Sequence, residues 1–169
     1  SQVDQIVVST DSIQISEVAR EFGAWVPFIR PPALAQDDTP MFPVLQHALA
    51  EVERIQGTKY DMLLLLDPTS PAREVQDVDN VITVLENCPD ADGVVSVSQP
   101  KFNPIWHCVV EKDGWMKDLI DMGGRFGRRQ EVPPVYRING CIYIWKTEYV
   151  RSCQGNWRQG GKFLMYEIP

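Results

Sequence analysis

Residues 61–73 constrain the fold more than any other stretch of the sequence. Residues 63–66 are four consecutive leucines, and a short unbroken apolar run is typical of a strand buried on both faces of a sheet. The run ends at Asp67, after which Pro68 and Pro71 force the chain into an extended or turning path. Apolar residues then recur at helical spacing, which predicts a helix containing Val75, Val78, Ile82 and Leu85.

The succession of strand, rigid polar turn and helix has a functional implication. In parallel sheets this layout places a ligand beyond the carboxyl ends of the strands. Asp67, Thr69, Ser70 and Arg73 would then face a crevice. The alternative is a purely structural turn, a proline-stiffened loop with a capping hydroxyl, which needs no ligand.

The same alternation of patterns continues along the first half of the chain. Strand patterns alternate with helical ones, with strands at 6–9, 25–29 and 93–97 and helices near 13–22, 42–55 and 75–85. This order predicts an α/β fold with a mostly parallel sheet flanked by helices. A chain of 169 residues is the size of one domain, so we expect a single domain over 1–169.

The second half of the chain is less regular. The sequence predicts a hairpin formed by 105–110 and a piece near Gly114-Trp115, with its turn around Lys112-Asp113-Gly114. Glycines, arginines and prolines crowd the part that follows, so we expect a protruding arm at about residues 101–135. Strands predicted at 141–145 and 163–167 complete the sheet.

Composition excludes several classes of partner. The net charge of −7 argues against nucleic acid. No apolar run approaches the length of a membrane span, and no signal-peptide pattern is present. The four cysteines are widely spaced, with no CxxC pair, which argues against a metal cluster or a disulfide framework. We therefore expect a cytoplasmic protein that binds neither nucleic acid nor membranes.

Six of the arginines lie in loops or directly after predicted strands. One loop-rich stretch carries four of them, Arg125, Arg128, Arg129 and Arg137, and the other two, Arg30 and Arg73, follow predicted strands. Guanidinium groups near strand ends in an acidic protein indicate binding of a small anion. The alternative for the loop cluster is a solvated surface.

Several separated motifs together resemble one protein family. In chain order they are Val8-Ser9-Thr10-Asp11-Ser12, Arg30-Pro31, Pro68-Thr69-Ser70-Pro71 with Arg73, Ser96-Val97, Arg129-Gln130 and Tyr136-Arg137-Ile138-Asn139-Gly140. In order and spacing they resemble the cytidylyltransferases that activate nonulosonic acids, a family that includes acylneuraminate (CMP-sialic acid) cytidylyltransferase. The resemblance covers nearly the whole chain and implies a Rossmann-like nucleotidyltransferase fold.

The resemblance also implies a reaction. CMP would be transferred from CTP to a nonulosonic acid, a 3-deoxy-2-keto acid sugar, with release of pyrophosphate and with Mg²⁺ as cofactor. The anomeric hydroxyl of the sugar would attack the α-phosphorus, so positioning and charge neutralisation would carry most of the catalysis. The family resemblance further implies a homodimer formed through the arm.

Carried over position by position, the resemblance implies a site with two halves. The nucleotide half would contain Arg30, Leu34, Ala35 and Asp37. The sugar-acid half would contain the turn residues Asp67, Thr69, Ser70 and Arg73, with Arg129, Gln130 and Asn139 closing over the sugar or its carboxylate. A guanidinium fork suits a carboxylate, and an amide can both donate to and accept from sugar hydroxyls.

Three departures from the family pattern affect these expectations. Asp67 stands where the family usually has glutamine, which indicates a different nonulosonic acid, such as a legionaminic-type sugar. The Gly-Ser-Lys triphosphate loop and the Asp-x-Asp metal motif do not occur in the sequence. We therefore expect an incomplete cytidylyltransferase domain, without catalytic residues or metal ligands and with impaired or no activity. The alternatives are a non-catalytic binding or dimerising remnant, and a cytidylyltransferase of the Kdo type.

Overall fold

The computed structural model describes residues 2–71 and 73–168, so Ala72 of the 61–73 stretch lies outside it. The helices and strands in chain order are α1 (Ile13–Glu21), α2 (Met41–Gln56), β1 (Met62–Leu65), α3 (Val75–Glu86), β2 (Gly93–Ser98), α4 (Pro104–His107), β3 (Val109–Lys112), β4 (Trp115–Asp118), β5 (Arg137–Lys146), α5 (Thr147–Ser152) and β6 (Phe163–Glu167). Short 3₁₀ turns lie at Pro32–Leu34, Gly123–Arg125 and Arg129–Glu131. The first three predicted helices and the strands around the leucine run and at 93–97 and 163–167 are confirmed.

The main sheet has four strands in the order β1-β5-β2-β6. β5 runs antiparallel to both of its neighbours, β1 and β2, whereas β2 and β6 are parallel. The sheet is therefore mixed, and the prediction of a mostly parallel sheet is wrong for two of the three strand pairings. β5 follows the arm and not a crossover helix, so nothing in its connection requires it to run parallel to β2.

The predicted strands at 6–9 and 25–29 form only a single parallel bridge, between Val7 and Trp25. The Trp25 N–H donates to the Ile6 carbonyl at 3.1 Å, and the Val8 N–H donates to the Trp25 carbonyl at 3.0 Å. The next donor on that side of the ladder belongs to residue 27, which is a proline and has no N–H. Pro27 therefore ends the ladder after one step and leaves both segments as extended chain.

The core lies on both faces of the sheet because β5 is covered on each side. Ile142 and Ile144 are fully buried against α3, together with residues of β2. Trp145 points to the other face and is buried against α2 and α5. This two-sided packing explains why β5 lacks the polar alternation of a solvent-facing strand. None of the helices in the described part of the chain is long and apolar enough to cross a membrane.

The arm contains α4 and the hairpin of β3 and β4. Asp113 and Gly114 both have positive φ, +56° and +78°, which is the conformation that a tight hairpin turn requires. The turn therefore lies where the sequence predicted it. The first strand of the predicted hairpin, residues 105–110, was misplaced, because residues 104–107 are helical. The Asn103 side chain is the N-cap of this helix and accepts a hydrogen bond from the Ile105 N–H.

Candidate functional site

The turn after β1 is held by its own hydrogen bonds. Asp67 Oδ1 accepts from the Thr69 N–H at 2.9 Å and from the Thr69 hydroxyl at 2.7 Å. Arg73 Nε donates to the Ser70 carbonyl at 2.9 Å, and its Nη2 donates to the carbonyls of Ser70 and Asp67. Arg73 thus stabilises the turn through hydrogen bonds to its backbone carbonyls. The predicted contact of its guanidinium with a sugar remains a prediction.

Asp67 is an ionised carboxylate with one oxygen available. The hydrogen bonds from Thr69, together with the charge of Arg73, lower the pKa of Asp67 below its ordinary value even though burial opposes this. Within the described structure, the hydrogen bonds that Asp67 accepts through its side chain all fall on Oδ1. Oδ2 accepts no hydrogen bond from the described residues.

A cavity of about 350 Å³ opens beside this turn. Four of the residues predicted from the sequence line it, namely Arg30, Leu34, Ala35 and Asp67. Its walls are contributed by the 3₁₀ turn at Pro32–Leu34, the first two turns of α2 and the end of β1. The cavity therefore combines the nucleotide half of the predicted site with the first residue of the sugar half.

Arg30 presents a weakly paired cation to this cavity. Its side chain is 23% exposed, and its one ion pair within the described residues is a long contact of 3.5 Å between Nη2 and Asp11 Oδ1. Arg30 Nε is buried without a hydrogen-bond partner in the described structure. A buried donor without a partner costs free energy, so this guanidinium is suited to receive an anion or a carbonyl oxygen.

Asn139 and Gly140 lie next to the Asp67 turn. Gly140 has a φ of +74°, and a Cβ atom placed on it would lie 3.8 Å from Ser70 Oγ and 4.0 Å from Asp67 Oδ2. The half-buried Asn139 uses its Oδ1 within the protein, accepting hydrogen bonds from the Ser96 hydroxyl and the Cys141 N–H. Asn139 is thus the residue before the one that contacts the Asp67 turn, and its own contact with a sugar remains a prediction.

The remaining predicted residues lie away from the cavity lining. Asp37 is exposed, and its neighbours Gln36 and Thr39 line the cavity instead. Arg129 and Gln130 are exposed in the short 3₁₀ turn of the arm. Their predicted contacts with a sugar acid remain predictions.

Several lining residues were not singled out from the sequence. Met41, Val44 and Leu45 lie on one face of α2 and form the apolar wall. Their i, i+3, i+4 spacing is the sequence signal that could have placed them on one face of the helix. Gln36, whose Nε2 donates to the Pro32 carbonyl at 2.7 Å, had no sequence signal.

The described residues do not form a metal site. Among residues 2–71 and 73–168, no group of three or more His, Cys, Asp or Glu side chains is arranged to hold a metal ion. The described residues therefore provide no ready-made cluster of protein ligands for the Mg²⁺ that the family resemblance implies.

Comparison with known proteins adds to this geometry, although no model of a protein family matches the chain. The chain is 32% identical over 164 residues to post-translational flagellin modification protein B of Campylobacter coli, covering 96% of this chain and 68% of that protein. It is 32% identical over 142 residues to CMP-N,N′-diacetyllegionaminic acid synthase of Legionella pneumophila, covering 83% of this chain and 59% of that enzyme. The chain thus spans about six-tenths of the length of this synthase.

A solved structure defines the fold class. The chain superposes on CMP:2-keto-3-deoxy-manno-octonic acid synthetase complexed with CTP with a TM-score of 0.64, covering 99% of this chain and 73% of that one at 14% identity. At this identity the likeness establishes the α/β fold alone. The family assignment rests on the sequence relatives: the chain belongs to the nonulosonic acid (acylneuraminate-type) cytidylyltransferase family.

Proposed function

We propose that this chain forms the nucleotide and sugar-acid pocket of a protein that transfers CMP from CTP to a nonulosonic acid, releasing pyrophosphate. The observation that carries the proposal is the cavity at the carboxyl end of β1, where Arg30 and Asp67 occur together. The similarity to a legionaminic acid synthase supports the same substrate class.

The nucleotide half of the proposal rests on the walls of the cavity. Leu34, Ala35 and Leu45 supply apolar surface for a flat pyrimidine ring, and Arg30 supplies a guanidinium whose one ion pair in the described structure is long. Mostly apolar pockets with a few placed polar groups are typical of sites for small molecules, and about 350 Å³ is within their usual size. CTP offers both a ring and acceptor oxygens to these groups.

The sugar half rests on Asp67 and Asn139. The free Oδ2 of an ionised Asp67 accepts hydrogen bonds but cannot donate them, so it favours hydroxyl and acetamido N–H groups on the sugar and disfavours the sugar carboxylate. A hydroxyl and an acetamido N–H each offer one such donor, and the relatives that match the chain include a CMP-N,N′-diacetyllegionaminic acid synthase. We therefore propose a diacetylated, legionaminic-type sugar as the acceptor of CMP.

Calorimetric titration of the purified chain tests the proposal. We expect saturable binding of CTP and of CMP-N,N′-diacetyllegionaminic acid, and weaker binding of both by Arg30→Ala. Arg54→Ala is the matched control, because Arg54 lies on α2 and forms an ion pair with Glu51 outside the cavity. Titrations with and without Mg²⁺, and with CMP-Kdo, show whether a metal or a different sugar acid is preferred. Equal binding by the two arginine variants would contradict the proposed site.

We also propose that the arm joins two copies of the chain. Every residue of β3 and β4 is exposed, including Trp115 at 73% and Met116 at 74%. An isolated two-stranded hairpin is marginally stable in water, and exposed apolar side chains of this size are typical of protein interfaces. Light scattering should give the molar mass of a dimer for the unsubstituted chain and that of a monomer for Trp115→Ser. Phe22→Ser, which removes another exposed aromatic ring outside the arm, should leave the mass unchanged.

A further inference from the structure

Ser96 occupies an irregular position in the sheet. It lies in the middle of β2 and is 1% exposed. On one side Val95 pairs with Tyr143 of β5, and on the other side Val97 pairs with Ile138. The four residues 139–142 of β5 therefore oppose the single residue Ser96, which makes this part of β5 a large β-bulge. Bulges of this kind re-aim side chains and often lie beside functional sites.

The Ser96 hydroxyl replaces the backbone hydrogen bonds that the bulge removes. Its Oγ accepts from the Ile142 N–H at 2.8 Å and donates to Asn139 Oδ1 at 2.6 Å. One side chain thus connects both ends of the bulge across the two strands. The register of β2 against β5 shifts between Val95 and Val97, and the two side-chain hydrogen bonds of Ser96 span this shift.

The same contacts determine the orientation of the Asn139 amide. Asn139 Oδ1 also accepts from the Cys141 N–H at 3.1 Å. A backbone N–H can only donate, so the atom facing it must be the amide oxygen, and the Nδ2 group must be on the other side. Nδ2 has no hydrogen-bond partner among the residues that the structure describes.

The bulge lies beside the sugar half of the proposed site. Gly140, the residue after Asn139, approaches Ser70 Oγ and Asp67 Oδ2 so closely that a Cβ atom on it would be 3.8 and 4.0 Å from them. The two free donors of Asn139 and the free acceptor of Asp67 are thus offered by adjoining segments. Together they suit a ligand that presents both acceptors and donors, as a polyhydroxylated sugar acid does.

We infer that Ser96 is a positioning residue for the sugar-acid site: its buried hydroxyl holds the β5 bulge and turns the Asn139 amide so that Nδ2 donates to an oxygen of the bound sugar acid. The inference rests on the proposed function and adds one positioning residue to its sugar-acid site. Ser96 does not touch the ligand itself. Its effect on binding is transmitted through Asn139.

Ser96→Ala tests this inference against a purely structural role. We expect the Asn139 side-chain NH₂ signals in ¹H–¹⁵N spectra to shift, and affinity for CMP-N,N′-diacetyllegionaminic acid to fall about tenfold, the effect of one good hydrogen bond. Affinity for CTP should change less than twofold, because the nucleotide half of the cavity is lined by other residues. In an Asn139→Ala background, Ser96→Ala should cause no further loss of sugar binding.

Thr147→Val is the matched control. Thr147 is 2% exposed, and its hydroxyl also makes two hydrogen bonds, donating to the Tyr60 carbonyl and accepting from Arg151. It lies at the opposite end of β1 from Asp67, so the substitution should lower stability without changing sugar affinity. Equal losses in the two variants, or additive losses from Ser96→Ala and Asn139→Ala, would overturn the inference. If the unsubstituted chain bound no CMP-sugar, the proposed function would fail, and the NMR spectra alone would decide whether Ser96 orients Asn139.

Discussion

Replacing Glu53 with glutamine should lower the free energy of unfolding by about 2 kcal/mol. The Glu53 residue is 6% exposed. Its carboxylate accepts hydrogen bonds from Arg151 Nη2 at 2.5 Å, from Lys59 Nζ at 2.7 Å and from the Tyr60 N–H at 3.1 Å. This buried anion therefore links α2 to α5 and to the chain entering β1.

The magnitude follows from what glutamine can replace. Glutamine has the same shape but one acceptor oxygen, so one of the two cations faces an NH₂ group and loses its partner. A hydrogen bond to a charged group contributes roughly 1.5–3 kcal/mol. Arg151 and Lys59 are 39% and 79% exposed, so the cation that loses its partner can turn toward water. For this reason we take a value in the lower half of that range.

The pH dependence has a definite sign. Burial opposes ionisation of Glu53, but the hydrogen bonds from Lys59, Tyr60 and Arg151 together lower its pKa from the ordinary 4.5. A carboxylate with a lowered pKa in the folded state stabilises the protein above its unfolded-state pKa. This contribution is lost as the pH falls through the folded-state pKa, so the difference between Glu53→Gln and the unsubstituted protein should shrink below about pH 4.5.

Urea unfolding followed by tryptophan fluorescence at about pH 7 and at about pH 3 measures both effects. Glu51→Gln is the control on the same helix, because Glu51 makes only a surface pair with Arg54, three residues further along α2. This control should be indistinguishable from the unsubstituted protein. If Glu53→Gln behaved like the control at both pH values, the buried ion cluster would not stabilise the fold.

Two further substitutions give distinct outcomes. Gly93→Ala should destabilise the fold by about 3 kcal/mol, since its Cβ atom would clash with the Ile144 carbonyl oxygen. Thermal unfolding of Gly124→Ala, where the added Cβ atom meets nothing within 4 Å, is the comparison. Asp67→Asn should weaken binding of CMP-N,N′-diacetyllegionaminic acid about tenfold, because the acceptor for the sugar loses its charge. It should leave binding of the anionic CTP unchanged or stronger, because a negative charge in the lining of the cavity is removed. Equal weakening for both ligands in calorimetry would show that the role of Asp67 is not specific to the sugar. Because the pKa of Asp67 lies below its ordinary 3.8, its contribution to binding in the unsubstituted chain should not vary between about pH 5 and pH 8.

Local patterns predicted the elements that depend on neighbouring residues. The leucine run, the proline turn and α3 follow one another within 26 residues, from 61 to 86, and each has its own signal in the sequence. The cavity at the end of β1 was predicted from this succession and from the family resemblance. Four of its lining residues were named in advance for the same reason.

Features that depend on distant pairing were not predictable in the same way. The pattern of β5 identifies a strand but not its direction, which is set by how the arm returns the chain to the sheet. The contact between Ser96 and Asn139 joins residues 43 apart in sequence, so neither residue's neighbourhood indicates the bulge. The short bridge at Val7 shows the opposite case, since Pro27 could have been recognised as the residue that ends its ladder.

The most direct test of the proposed site is a titration of ¹⁵N-labelled chain with CMP-N,N′-diacetyllegionaminic acid, followed by ¹H–¹⁵N NMR. We expect saturable shifts of the backbone amides of Arg30, Ala35, Asp67 and Asn139, which line or adjoin the cavity beside β1. Shifts confined to the arm, or no saturable shifts from a folded sample, would contradict it.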